Sequence, residues 1–319
     1  MPAKSLPTGT DADLNLATLS RLFVDEDAAR KFIESKRWPN GPVCPHCENK
    51  EVYTLTPKPE SASPIRAGVF KCKKCRKQFT VRIGTIFEES KIPLSKWLMA
   101  IHLMTSSKKG VSSRQIEREL GITMKSAWFL THRIREAMRQ TPLAGLLGGT
   151  VEVDETYVGG KPRIKGQSKR GRGTSKQPVM VLVERDGDAI CMPIPRVDSK
   201  TLKGEIGIHV SSEAVIVTDE NPAYNGIEET HAGHETTKHS AKEYSRTRDD
   251  GFAVNSNTAE SFFALLKRGH YGIFHQLSKK HLHRYCVEFA FRWNHRKVTD
   301  GERLVAAIVG AEGKRIMYG

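Results

Sequence analysis

No stretch of about 18 consecutive apolar residues, the length a helix needs to cross a bilayer, occurs anywhere in the chain. The opening residues 1–10 also lack the apolar core of a secretory leader, so the expectation is a soluble, cytoplasmic, nucleoid-associated protein with no membrane partner. Cysteine is scarce, with six in 319 residues, which excludes a fold stapled by many disulfides. Aromatics make up 7% and hydrophobic residues 38%, still enough for cores divided among about two or three domains. The shortage that says most about partners is of acid. Only 36 Asp and Glu stand against 51 Lys and Arg, a net charge of +15, and a surface so biased attracts polyanions, of which nucleic acid is the commonest.

The few cysteines are not scattered. Cys44-Pro45-His46-Cys47 and Cys72-Lys73-Lys74-Cys75 are two C-x₂-C knuckles separated by residues 48–71, a spacing that supplies four thiolates to one structural, tetrahedral Zn²⁺. A pair of disulfides is the competing account, and a reducing cytosol disfavours it. His46 reads as a flanking residue, and the isolated Cys191 and Cys286 read as packing residues in apolar segments. Short alternating runs at 51–55, 69–71 and 79–83 surround the knuckles in the manner of a zinc ribbon.

Five segments are expected. Residues 1–20 form a flexible N-terminus, and 21–90 a helical lead, with Asp25 as a cap, followed by the ribbon. Residues 91–143 are helical. Ser112 or Ser113 caps a helix that stops at Gly121, and a second helix starts near Met124, the outline of a helix-turn-helix with Lys125, Arg133 or Arg135 on its outer side. A packing hairpin in a small bundle would show the same pattern. Residues 148–300 hold the strand candidates and three further helices, and 301–319 read as a C-terminal tail. The piece from Gly159 to Lys176 has no acid and carries Lys161, Arg163, Lys165, Lys169, Arg170 and Arg172, as expected of a segment that orders against phosphates. Near the end, Arg284, Arg292 and Arg296 lie among Tyr285, Phe289, Phe291 and Trp293 on a helix whose aromatics pack under a sheet while basic groups face DNA.

Three acids stand where structure would concentrate them. Asp154 lies in Val151-Glu152-Val153-Asp154-Glu155-Thr156-Tyr157-Val158, whose strict alternation puts Val151 and Val153 on one face of a strand and Glu152 and Asp154 on the other. Asp219 closes the β-branched run Ala214-Val215-Ile216-Val217-Thr218, a buried strand ending at an acid. Glu260 opens a stretch of helical apolar spacing, with Asn257 or Thr258 as its N-cap, and Lys267 follows two turns later on the same face. Taken alone, Asp219 and Glu260 are an ordinary strand-end acid and an ordinary helix-start acid. Together with Asp154 they form what a pair of hard cations, Mg²⁺ or Mn²⁺, needs: few protein oxygens, leaving room for water and substrate phosphate. Two such ions roughly 3.5 to 4 Å apart stabilise the attacking and leaving oxygens of a displacement at phosphorus.

Strand with Asp, hairpin, strand, helix, strand ending in Asp, then helix with Glu resembles the ribonuclease H-like fold of DDE transposases and retroviral integrases. The stretches Val-Glu-Val-Asp-Glu-Thr-Tyr-Val-Gly-Gly-Lys (151–161), Thr-Asp-Glu-Asn-Pro-Ala-Tyr (218–224), Asn-Thr-Ala-Glu-Ser-Phe-Phe-Ala-Leu-Leu-Lys-Arg-Gly (257–269) and Glu-Phe-Ala-Phe-Arg-Trp-Asn-His-Arg (288–296) resemble the ISXO-two-like transposases of bacterial insertion sequences. The two cysteine knuckles resemble that family's N-terminal zinc ribbon. The resemblance implies an α/β fold with a ribonuclease H-like mixed sheet behind a zinc ribbon and a helix-turn-helix-like segment. It implies cleavage and transfer of strands at terminal inverted repeats, with Asp154, Asp219 and Glu260 holding two Mg²⁺ or Mn²⁺ ions and Lys267, followed by Arg268, near the phosphates. Asn257 and Glu152 are further candidates for the third acid's role. Double-stranded DNA, both transposon end and target, is the implied partner, handled by a homodimer or larger assembly. Two readings stay open beside it: a zinc-ribbon DNA-binding regulator with an inactive ribonuclease H-like domain, and a nuclease of the same fold that cuts without joining.

Overall fold

The computed structural model describes residues 10–56, 65–139, 145–160, 174–237 and 245–316. The chain divides into two units, Met1–Arg139 with Lys297–Gly319, and Gln140–Arg296.

The first unit begins with α1 (Leu16–Val24) and α2 (Glu26–Arg37). Asp25 caps α2 as expected, accepting from the Asp27 and Ala28 amides at 3.0 Å each. Strands β1 (Val52–Thr54), β2 (Phe70–Cys72) and β3 (Gln78–Phe79) pair antiparallel in that order, forming the ribbon. The third strand, expected to reach residue 83, ends at Phe79. Beyond it the chain turns, and Arg82 donates to the carbonyls of Ser90 and Ile92 at 3.1 Å each. The long helical stretch resolves into α3 (Leu94–Ser106), α4 (Ser113–Leu120) and α5 (Met124–Ala137). Ser112 accepts from the Gln115 amide at 3.1 Å, and Gly121 ends α4 in the left-handed region at φ 57°. That conformation favours glycine and turns the chain into the Thr123 cap of α5, so the helix-turn-helix geometry forms where its signals lie.

The second unit holds β4 (Thr150–Val158), β5 (Gln177–Glu184), β6 (Ala189–Pro193), α6 (Ser199–His209), β7 (Val215–Asp219), β8 (Gly233–Thr237), β9 (Ser245–Thr247), β10 (Ala253–Asn255), α7 (Asn257–Gly269) and α8 (Leu282–Asn294). Five of the strands form a mixed sheet in the order β6-β5-β4-β7-β8. β4, β5 and β6 run antiparallel to one another in sequence, and β7 and β8 continue parallel to β4. This is the ribonuclease H-like layout, with β8 and the β9–β10 hairpin as parts the sequence pattern did not announce.

Alternation divides the core into two layers. Val151, Val153, Met180, Leu182 and Ile216 pack with Leu202 and Ile206 of α6. On the other face Val179, Val181 and Val183 pack with Phe262, Phe263 and Leu266 of α7 and Cys286 and Phe289 of α8. Tyr285, Phe289 and Trp293 of α8 therefore lie under the sheet as their spacing suggests, while Phe291 is buried against His295 instead. The last helix, α9 (Asp300–Val309), falls in the segment expected as a tail and belongs to the first unit, where it packs on α3.

Candidate active site

The pairing of β4 with β7 runs Thr150↔Val215, Val151↔Ile216 and Glu152↔Val217, and the same register carried forward sets Asp154 level with Asp219. Parallel neighbours about 4.8 Å apart point register partners to the same side, so both acids leave the sheet on the face covered by α7. Asp154 is half-buried, and its Oδ1 accepts from the Glu155 amide at 2.7 Å. Burial pushes its carboxyl up to about 6. The Glu155 amide and Lys267 pull it down, while the negative charges of Asp219 and Glu260 push it further up. Three acids drawn from two strands and a helix therefore act on one another electrostatically. A divalent cation would relieve the repulsion that the Glu155 amide and Lys267 partly offset, and in that sense the donor set fits hard cations. The acids do not converge as closely as the thiolates described below: among the described residues only the cysteines gather tightly enough to enclose one ion.

α7 brings Glu260 in its first turn and Lys267 in its last, both exposed. The expected caps, Asn257 and Thr258, lie inside the helix. The cap position belongs to Ser256, which makes no side-chain cap bond. The capping acceptor comes instead from across the fold: Glu152 of β4 receives the Thr258 amide at 2.7 Å and the Ala259 amide at 3.0 Å. Glu152 is fully buried, away from the exposed Glu260.

Two residues in this region were missed by sequence reasoning. Arg185, just past the end of β5, donates from Nε to Glu152 at 2.7 Å. Tyr224, quoted within a motif but given no role, is buried and donates its hydroxyl to Glu155 Oε1 at 2.5 Å, while Asp219 Oδ1 accepts the Asn221 amide at 3.1 Å. Burial and the charges of Glu155, Asp219 and Asp154 hold the Tyr224 phenol well above its ordinary range, so it stays a donor and ties the end of β7 to β4 beside Asp154. The local signal was a tyrosine five positions past a strand-ending acid, which does not by itself name a partner.

The four knuckle cysteines form the second centre. All are free thiols, and their sulfurs lie within 4.8 Å of one another, with Cys44 to Cys75 and Cys47 to Cys72 at 3.6 Å. A tetrahedron of thiolates about 2.3 Å from Zn²⁺ has edges of roughly 3.8 Å, so the set fits a structural zinc. Burial raises the Cys72 thiol, and the Cys75 amide, Asn49 and neighbouring thiols outweigh it, leaving it at about 6. Thiolate character is what zinc requires.

The residues expected to hold DNA fare unequally. Lys161, Arg163, Lys165, Lys169, Arg170 and Arg172 lie outside the described residues. Lys125, in the first turn of α5, and Arg268, at the end of α7, are exposed. Arg133 is not a surface cation. It is 3% exposed and donates to the carbonyls of Ile86 and Glu88 at 2.6 Å each and of Ile316 at 3.1 Å. Arg135 is buried as well. Arg292 is buried against Glu288, with Nη2 to Oε1 at 2.6 Å, and Arg296 stacks on Trp293 and donates to the Gly187 carbonyl at 2.9 Å. A guanidinium has five donors, and in Arg133 and Arg296 they satisfy loop carbonyls without a strand partner, whereas Arg292 is turned inward by the Glu288 carboxylate on its own helix.

A family model described as ISXO2-like transposase domain matches residues 146–294, and one described as transposase zinc-ribbon domain matches residues 24–78. An uncharacterized protein in transposable element ISH50 of Halobacterium salinarum is similar at 30% identity over 268 residues, covering 78% of this chain and 84% of that one. Among solved structures, a chain of a pre-cleavage Mos1 transpososome is similar at 14% identity over 69% of this chain and 79% of that chain, with a TM-score of 0.23.

Proposed function

This chain belongs to the ISXO2-like transposases, and from that premise we propose that it binds the terminal inverted repeats of an insertion sequence and carries out metal-dependent cleavage and transfer of DNA strands. The observation that carries the chemistry is the acid cluster, in which Asp219 at the end of β7 and Glu260 on α7 both raise Asp154 on β4. Asp154, Asp219 and Glu260 hold two Mg²⁺ or Mn²⁺ ions, which when bound polarise the scissile phosphate and activate the attacking oxygen. Lys267, on the same helix face as Glu260, reaches a phosphate next to that centre. Arg268 adds charge beside it.

In this reading the zinc ribbon and the α4–α5 pair recognise the DNA ends, and Lys125, exposed in the first turn of α5, contacts the major groove as the start of a recognition helix does. The partners are double-stranded transposon end and target, handled by a homodimer or larger assembly on the cytoplasmic nucleoid. Asp154→Asn and Asp219→Asn are expected to lower cleavage of an end duplex by about 10³-fold or more, because the metals supply several kcal/mol at the transition state. End binding in a gel-shift assay should change by no more than about twofold, since the metals serve chemistry more than grip. Cleavage at the unsubstituted rate in either variant would overturn the assignment.

A further inference from the structure

Glu152 sits two positions before Asp154 on β4 and has no solvent-exposed surface. Its carboxylate accepts the Thr258 amide at 2.7 Å and the Ala259 amide at 3.0 Å on Oε2, and the Thr258 hydroxyl at 3.0 Å on Oε1. Arg185, on the far side, donates from Nε to Oε1 at 2.7 Å, and its Nη1 and Nη2 reach the carbonyls of Ala253 at 2.6 Å and Asn255 at 2.8 Å. Those carbonyls belong to β10, the strand that feeds α7. One carboxylate from the strand bearing Asp154 and one guanidinium beside it thus hold both the first turn of the helix bearing Glu260 and the segment leading into it.

The positive end of the helix and its unpaired amides make this a favourable place for a carboxylate. Asp219 and Glu260 both raise the Asp154 carboxyl, so the acids repel one another across the gap between β4 and α7 that Glu152 and Arg185 bridge. We infer that Glu152 and Arg185 are positioning residues that set the separation between Asp154 and Glu260 and so tune how tightly the acid centre holds its divalent ions. This inference rests on the reading that Asp154, Asp219 and Glu260 bind those ions.

The test uses the full-length, zinc-loaded protein with Glu152→Gln, Arg185→Met and the milder Thr258→Val, and with Asp154→Asn as the reference. Two quantities are read: Mn²⁺ affinity by electron paramagnetic resonance without DNA, and the Mg²⁺ concentration for half-maximal cleavage of an end duplex. Glu152→Gln and Arg185→Met should weaken both in parallel by about tenfold or more, the range seen when groups that orient metal ligands are lost. Cleavage should recover at saturating metal, and metal-free end binding should stay unchanged. Thr258→Val should shift both readings in the same direction by a smaller factor.

Wild-type Mn²⁺ affinity and Mg²⁺ dependence in Arg185→Met and Thr258→Val overturn the inference, and these variants decide the matter if Glu152→Gln fails to fold. Loss of cleavage at every metal concentration in Glu152→Gln alone, with the other two at wild-type values, makes Glu152 a ligand and also overturns it. Retention of metal binding and cleavage by Asp154→Asn, by contrast, sinks the reading of the acid centre itself.

Discussion

Burial and the facing charges of Asp219 and Glu260 leave Asp154 with a carboxyl that releases its proton only near pH 6, against an ordinary value of 3.8. The folded protein therefore binds that proton more tightly than the unfolded chain does. Between about 3.8 and 6 the contribution of this group to stability falls as pH rises, and above 6 the penalty is complete, roughly 3 kcal/mol at full effect. Without divalent cations, Asp154→Asn should thus be more stable than the parent protein at pH 8, with the difference shrinking toward pH 4.5. Paired urea denaturation curves at the two pH values check this, and a difference independent of pH would count against it. At this scale the sequence identified the acids but not their division of labour. Glu152 and Asp154 share a strand face two residues apart, and nothing local says that one is buried beneath a helix end while the other stays half-open. Arg133 and Arg292 make the same point for cations, since periodicity does not reveal which carbonyl a guanidinium will find.

Elements whose signals are local formed where those signals lie. The Ser112 cap and the left-handed Gly121 set the bounds of α4, and the β4 alternation sorts Val151 and Val153 from Asp154. The ribbon shows the limit of such signals. Its buried cluster consists of Cys44, Cys72, Phe70 and Phe79, with Trp38 edge-on to both phenylalanines, a core too small to fold without the metal. Removing zinc, by chelation or by Cys44→Ser, should leave the ribbon open to protease within residues 44–79 and abolish specific end binding. The acid centre's affinity for Mn²⁺ should be preserved. Unchanged proteolysis in that stretch would show that packing alone holds the ribbon. α7 differs from both cases, because its cap comes from Glu152, more than a hundred residues away in the chain.

For the whole molecule, the decisive fact is that the first unit is discontinuous: the chain leaves it after Arg139 and re-enters at Lys297. α9 opens with a capping box between Thr299 and Glu302 and buries Leu304, Ala307 and Ile308. A Cβ on Gly301 would overlap the Asp11 carbonyl, so the helix lies hard against the N-terminal turn. Farther on, Glu312 pairs with Arg37, and Lys314 donates to the Ala137 carbonyl at 3.3 Å. Truncation after Arg296 should therefore damage the N-terminal unit rather than trim a tail. Loss of two large apolar side chains alone is worth about 3 to 6 kcal/mol. Faster amide exchange in α3 and weaker end binding are the expected readouts, and a truncated protein with unchanged α3 protection would refute the packing role.

Short-range chemistry was enough to read two thiolate knuckles, a capped helix pair, and three acids, one within an alternating strand, one closing a strand and one at a helix start. Each depends on a spacing of a few residues, so period, cap and turn suffice to read it. Which buried acid caps which helix, which arginines turn inward, and the return of residues 297–316 to the N-terminal unit emerged with the folded chain. Those outcomes depend on partners far apart in the chain, selected by packing and by the need of each buried polar group for a counterpart.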